Sequence, residues 1–302
     1  MKIPRFQKIK EISSKPCFDE KTILDRDSSY PRISIITPSL NQVKFLERTI
    51  LSVLNQNYPN LEYIIIDGGS SDGSVDVIKK YEKYISYWVS ESDRGQADAI
   101  NKGFKKASGD LVAWQNSDDI YLPGAFQEIA KEYKKRSGEA VYFGDIIFID
   151  DTDNILSIYK LLPFDFFSNL FEGPQAPTQS TFFKKEVFSK IGFLRDDYAF
   201  SFDYEYLCRI GYNKLKFKHL DCFLGCFRLH KNSKTSQIKE IGKKEHNSIQ
   251  DYYIKVAGSK CPKSLGYLFC RARKWLILFF RGDFKYIIYK IYSKYENKAS
   301  LY

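Results

Sequence analysis

No apolar run in this sequence approaches the roughly 20 residues needed to cross a bilayer. The longest candidate, Trp275 to Phe280, is far too short. The six cysteines include no C-x-x-C pair, which removes the commonest zinc and thiol-redox spacings. The opening MKIPRFQKIKEISSK lacks the apolar stretch of a signal-peptide core, so the expectation is a cytoplasmic chain with reduced cysteines. There is no internal repeat, no low-complexity tract, and no glycine-rich loop with a basic residue suited to a triphosphate. Acidic residues are scarce at one end only. Residues 231–302 carry 16 Lys and Arg against 5 Asp and Glu, whereas residues 1–230 carry 31 against 32. The net charge of +10 is therefore confined to the C-terminal segment, which argues against a nucleic-acid partner for the main body. It suggests instead an attachment surface for anionic lipid or another polyanion.

What is present is enough for a folded core. The 302 residues are 43% hydrophobic and 16% aromatic, which allows one large α/β domain with or without an appendage. After a polar arm over residues 1–30, Ile33 to Thr37 reads as a short buried strand stopped by Pro38. Apolar residues at 43, 46, 50, 53 and 54 have helical spacing. Leu61 to Ile66 reads as a second strand, Ser74 to Tyr84 as a helix, Gln96–Lys106 as another helix, and Asp110–Trp114 as a strand. A helix follows Pro123, and Ala140 to Gly144 is a further strand. Such alternation predicts a mostly parallel sheet covered on both faces, with ligands at the carboxyl ends of its strands. Thr37-Pro38-Ser39, Asp67 and Asn116-Ser117-Asp118-Asp119 follow these strands and should gather on one edge. Ser264 to Tyr292 mixes aromatic and aliphatic residues with Lys and Arg, as basic amphipathic helices do.

Three blocks carry a more specific message: Thr37-Pro-Ser-Leu-Asn41, Ile66-Asp-Gly-Gly-Ser-Ser-Asp-Gly73, and Asp93-Arg-Gly-Gln-Ala-Asp-Ala-Ile-Asn-Lys-Gly103 leading to Asn116-Ser-Asp-Asp119. In order and spacing they resemble the family 2 glycosyltransferases over about residues 31–232. The resemblance implies a GT-A fold: a mixed, mostly parallel, Rossmann-like α/β sheet flanked by helices. The division expected is an arm at 1–30, a catalytic domain at 31–240 and a basic helical extension at 241–302. The activity implied is inverting transfer of one sugar from a nucleotide-sugar donor, expected to be a UDP-sugar, to an acceptor hydroxyl on a glycan or lipid-linked glycan. The setting implied is cell-surface polysaccharide synthesis on the inner face of the membrane. The Gln-x-x-Arg-Trp motif of processive relatives is absent.

The same resemblance assigns roles to residues. Thr37, Pro38, Ser39, Asp67, Arg94, Asn101, Asn116 and Ser117 would line the nucleotide; Asp67 would meet the base, because Ser70, Ser71 and Asp72 can supply the helix capping that is the plain structural reading of an aspartate there. Asn116-Ser117-Asp118 stands where the family has Asp-x-Asp, so Asp118 would bind Mn2+ or Mg2+, with Asn116 lowering the charge. His230, in Phe227-Arg-Leu-His-Lys-Asn-Ser-Lys-Thr235, would complete the metal shell, with Arg228 and nearby lysines facing phosphate. Asp119 and Gln179 would lie toward the donor sugar and acceptor. Asp203, in Phe202-Asp-Tyr-Glu-Tyr-Leu-Cys-Arg209, would be the general base, with Glu205 in reserve and a helix-start acid as the plain structural reading. The spacing His219-x2-Cys222-x3-Cys226-x3-His230 superficially suggests zinc, but one stripe of side chains does not wrap a tetrahedral ion. Two alternatives stand beside the transferase reading: a nucleotidyltransferase, and a non-catalytic protein that binds polyanions through its tail. Oligomeric state is open.

Overall fold

The computed structural model describes residues 9–135, 138–231, 233–234 and 238–299. The first eight residues of the arm thus lie outside the described residues. The arm contributes two short helices, α1 (Ile9–Ile12) and α2 (Glu20–Asp25). The main body then alternates: β1 (Ile33–Ser39), α3 (Val43–Leu54), β2 (Leu61–Asp67), α4 (Ser74–Lys80), β3 (Tyr87–Ser90), α5 (Gln96–Lys106) and β4 (Leu111–Trp114). Every residue of β1, β2 and β4 is buried, because helices cover both faces of the parallel strands.

β1 runs two residues past Thr37, through the proline expected to stop it. The reason lies in the ladder. Ile36 C=O accepts from Gln115 N–H toward β4, so Pro38 faces the same side two residues later. Pairing with β4 has ended by then, at Ile36 with Trp114, and the missing N–H is not needed. The helix expected over Ser74 to Tyr84 is interrupted: α4 ends at Lys80 and a 3-10 turn covers Glu82–Tyr84.

The second half adds β5 (Ile120–Tyr121), α6 (Ala125–Tyr133), β6 (Val141–Ile149), β7 (Ile155–Tyr159), α7 (Phe166–Glu172), β8 (Thr181–Lys184), α8 (Glu186–Ile191), α9 (Phe202–Tyr212) and β9 (Phe217–Arg228). The sheet order is β3-β2-β1-β4-β8-β6-β9-β5, with β7 paired to β6. β1 is parallel to β2 and β4, and β2 to β3; β8 turns antiparallel between β4 and β6, and β6 is parallel to β9. This is a mixed, mostly parallel sheet of the GT-A kind. The stretch from His219 to Cys226 lies on a strand, not a helix, and all six cysteines are free thiols.

Among the elements described in full, three helices follow: α10 (Lys239–Val256), α11 (Lys263–Phe280) and α12 (Phe284–Ala299). They share core clusters with the sheet domain. Ile249 and Tyr253 of α10 pack with Leu170, Tyr204 and Cys208, and Leu278 and Tyr286 pack with Ile147, Ile158 and Cys226. A Cβ on Gly266 would lie 2.7 Å from the Phe171 ring, so α11 sits hard against α7. Buried Lys160 pairs with Asp283 at 2.7 Å, at the α11–α12 junction. Residue 240 thus marks a change of composition within a continuous packing. Among the described residues no helix is long and apolar enough to cross a membrane.

Candidate active site

A cleft of about 860 Å³ opens beyond the carboxyl ends of β1 and β4. Its walls include Pro38, Ser39, Asn116, Ser117, Asp118, Asp119, Gln179, Asp203 and Arg228, which the sequence had placed in the site. Asp93, Gln96 and Lys234 join them, with an aromatic lining of Trp114, Phe148, Tyr159, Phe200, Phe202 and Phe227. The lining aromatics carried no sequence signal of their own, because they come from separate elements of an aromatic-rich chain. Thr37, Asp67, Arg94, Asn101 and His230 are not on the cleft wall.

The loops after β1 and β2 lock together. Asn41, at φ 52°, donates its N–H to Ser70 Oγ and accepts from Ser71 N–H on its side chain. Asp72 accepts from Val43 N–H at the start of α3 and from Ser74 N–H at the start of α4. Asp67 is fully buried and accepts four hydrogen bonds, from Gly69 and Ser70 N–H and from the Ser70 and Ser90 hydroxyls. Its oxygens therefore organise the loop. Thr37 is likewise buried, its hydroxyl on the Tyr63 hydroxyl at 3.1 Å. Ser39 Oγ is buried without a hydrogen-bond partner and lies on the cleft wall, where a ligand could meet it. Gly68 has its own cause: a Cβ there would sit 2.6 Å from Asp93 Oδ2, so the Asp93 carboxylate fills the space a larger residue would need.

Arg94 and Asn101 are placed away from the cleft. Arg94 is exposed and paired with Asp98 and Asp196 at 3.0 and 2.6 Å. Asn101 clamps the backbone of Leu194 from both ends of its amide, at 2.8 and 3.0 Å. In this stretch it is Gln96, at the start of α5, that reaches the cleft. It donates to Asn116 Oδ1 at 2.8 Å and accepts from Lys234 Nζ at 3.1 Å.

The turn after β4 holds two neighbouring carboxylates in opposite settings. Asp119 is buried and accepts from Asn116 Nδ2 (3.0 Å), Gln179 Nε2 (2.7 Å) and Arg228 N–H (2.8 Å). Burial and the Asp118 charge push its carboxyl well above the usual range, against the pull of those three donors. Gln179 is thereby committed to Asp119. Arg228 is committed too: its guanidinium donates to the carbonyls of Asp118 (2.7 Å) and Asp150 (2.8 Å) and pairs with Asp153 at 2.7 Å. It braces the carboxylate loop from behind, which among the described residues leaves Lys234 as the cation on the wall with Asp203.

Asp118 Oδ2 lies 3.0 Å from His230 Nε2, and the His230 ring packs 4.6 Å from that of Phe45. Among the described residues no three His, Cys, Asp or Glu side chains form a metal-binding group. One carboxylate and one imidazole suit a divalent cation that takes its other ligands from a bound diphosphate and water. His219, by contrast, is buried against Asp145 at 2.9 Å, far in sequence from Asp118 and paired within the sheet.

Asp203 stands in the first turn of α9, half-buried on the cleft wall, with Tyr204 N–H donating to Oδ1 at 2.7 Å. Burial raises its carboxyl above the ordinary value, and the Lys234 ammonium pulls the other way. Glu205 points elsewhere. It is bound by Arg209 at 2.7 Å and by the Tyr253 hydroxyl at 3.1 Å. The loop leading into α9 is held from an unexpected direction: the Glu245 carboxylate of α10 accepts from the N–H groups of Ala199, Phe200 and Ser201 at 2.7, 2.9 and 2.7 Å.

The sheet is of the GT-A kind, and its strand ends open on Asp118, backed by His230, and on the separate half-buried acid Asp203. The chain belongs to glycosyl transferase family 2, whose family model matches residues 34–192. It is 32% identical over 184 residues to an uncharacterised glycosyltransferase of Mycobacterium tuberculosis, covering 60% of this chain and 70% of that one. Over 121 residues it is 32% identical to the GalNAc(5)-diNAcBac-PP-undecaprenol beta-1,3-glucosyltransferase of Campylobacter jejuni, covering 39% of this chain and 38% of that protein. Its fold is shared with S. aureus TarS 1-349 in complex with UDP-GlcNAc (TM-score 0.60, 14% identity), across 78% of this chain and 69% of that chain.

Proposed function

We propose that this chain transfers a single sugar, with inversion, from a UDP-sugar to a hydroxyl of a lipid-linked glycan during cell-surface polysaccharide synthesis. The observation that carries the reading is the meeting, in one cleft, of Asp118, contacted from behind the wall by His230, with the separately housed acid Asp203. Asp203 accepts the acceptor hydroxyl's proton as its oxygen attacks the anomeric carbon, and burial raises its carboxyl, which makes it a stronger base than an exposed aspartate. Asp118 and His230 would hold a manganese or magnesium ion, which when bound neutralises the departing diphosphate. Lys234 adds fixed positive charge to the same wall. Ser39, Asn41, Asp93 and Ser117 line the donor end. The UDP donor and the lipid-linked acceptor draw support from the names of the TarS complex and of the Campylobacter relative. The outer faces of α11 and α12 rest on anionic lipid, on the cytoplasmic side.

The test is nucleoside-diphosphate release from a panel of nucleotide sugars, with manganese or magnesium and with EDTA. Release from one donor, abolished by EDTA and in Asp118→Ala, is the expected result. Asp203→Asn should keep donor binding while transfer to an added acceptor falls by a factor of about 10²–10⁴. Absence of donor binding in the presence of metal would overturn the reading, and pyrophosphate release from a nucleoside triphosphate would favour nucleotidyl transfer.

A further inference from the structure

Arg48 stands on α3, off the cleft wall, and its guanidinium reaches in two directions. Toward the N-terminal arm, Nε donates to Ser13 Oγ at 2.9 Å and Nη2 to the Ile9 carbonyl at 3.4 Å. Both arm residues are buried, and Ile9 belongs to the cluster that includes Ile120, Ile149 and Cys226. Asn55, just past the end of α3, takes up the next stretch of arm: it donates to the carbonyls of Ile12 and Lys15 and accepts from Cys17 N–H. Toward the body, Arg48 Nη1 pairs with Asp153 Oδ2 at 2.7 Å.

Asp153 is buried in the turn between β6 and β7, and it divides its carboxylate between two guanidinium groups. Arg48 takes one oxygen and Arg228 Nη2 the other, each at 2.7 Å. Burial and the Arg228 charge both weigh against the charge on Arg48, and Asp153 offsets them. From Arg228 the chain of contacts continues to the cleft. Its Nε holds the Asp118 carbonyl at 2.7 Å, and its backbone N–H meets Asp119 Oδ1 at 2.8 Å. One run of contacts thus leads from the arm through Arg48, Asp153 and Arg228 to the turn that presents Asp118. A second link between the same helix and turn, Lys44 to Asp151 at 2.8 Å, lies exposed at the surface. A solvated pair contributes little, whereas deleting one member of a buried pair leaves a charge uncompensated.

We propose that Arg48 and Asp153 are positioning residues that set the Asp118 turn for its divalent cation, and that the docked arm is part of this setting. The cation's role rests on the transfer reading above; the coupling is measured without ligand. In the ligand-free, full-length chain, Arg48→Met should speed amide hydrogen exchange at Asp119 and Arg228 at least about fivefold, while α5 keeps its rate. Lys44→Met should change neither by more than about twofold. With UDP present, Arg48→Met should need at least about fivefold more manganese for half-maximal binding, and its UDP affinity at saturating manganese should stay within about twofold. Arg48→Lys keeps a positive charge beside Asp153 and should recover most of the manganese affinity. Because coupling is reciprocal, manganese with UDP should slow exchange in the native arm over residues 9–17. Unchanged exchange at Asp119 and Arg228 in Arg48→Met, or equal acceleration in α5 or in Lys44→Met, would overturn the coupling. Weaker UDP binding at saturating manganese would overturn the role toward the cation, and an arm indifferent to manganese and UDP would overturn its part. A native chain that binds no UDP with manganese would count against the transfer reading, and the ligand-free exchange would still decide the coupling.

Discussion

Asn116 donates to Asp119 from one end of its amide and accepts from Gln96 at the other, and this pair of contacts explains an amide at this position. A carboxylate at 116 would stand about as close to Asp119 as the present 3.0 Å contact, facing a buried acid already pushed upward by Asp118. Asn116→Asp should therefore reduce donor turnover and cost about 1–3 kcal/mol of stability by urea unfolding, the scale of a lost buried hydrogen bond; an increase in turnover would contradict the account. Lys234 offers a sharper reading. Its positive charge favours the ionised form of Asp203 and so holds that carboxyl down against burial. Removing the charge raises the Asp203 pKa further. The proposed base must be deprotonated to work, so the acid limb of kcat should lie above the ordinary carboxylate value and move to still higher pH in Lys234→Met. An unmoved limb would mean that another group titrates.

At the scale of elements, the support of α9 comes from outside the family-matched region. Glu245 on α10 accepts three backbone N–H groups just before Asp203, so it is a positioning residue for the proposed base. Glutamine can accept through one oxygen only, and its amide hydrogens would face N–H groups. Glu245→Gln should lower kcat roughly tenfold, the equivalent of about 1.4 kcal/mol, while the donor KM stays within twofold. A change in KM alone would place Glu245 on donor binding instead. The same contacts show what the sequence could and could not disclose. β1 and β2 were legible because both of their faces are buried and they read as apolar runs. β6 was legible only as far as Gly144, since Asp145 interrupts the run; the residue that makes a buried aspartate tolerable there, His219, lies 74 positions away. The place of Asp118, Asp119 and Asp203 on the cleft wall was legible from motif and local element. The contacts of Arg94, Asn101 and Arg228 were not, because each has a partner 78 to 110 residues distant: Asp196, Leu194, and Asp118 with Asp150.

For the whole molecule, the tail helices join the core on one side and leave the other apolar. On α11 and α12, Leu268, Phe269, Leu276, Phe279, Phe280, Phe284, Ile288 and Tyr292 are exposed, with Phe280 at 82%. So large an exposed apolar face calls for a partner. Exposed Arg271, Arg281 and Lys285 share these helices, and residues 231–302 carry 16 basic against 5 acidic side chains. A second copy docked by two-fold symmetry would set like charge against like charge, whereas an anionic lipid surface complements both the apolar and the basic groups. Each fully buried Phe contributes about 1.5–3 kcal/mol and each surface-adjacent Lys or Arg about 1 kcal/mol, enough for reversible attachment. Cutting the chain at 240 is a poor test, because it removes Glu245 and the Leu278–Tyr286 packing together. Phe269→Ser/Phe280→Ser leaves both intact. That variant should lose at least tenfold in cosedimentation with phosphatidylglycerol vesicles, and the native chain should bind phosphatidylcholine vesicles weakly and release from anionic ones as salt rises. Equal recovery on both lipids, or a native dimer that the double variant dissolves without affecting vesicle binding, would assign the face to a protein partner.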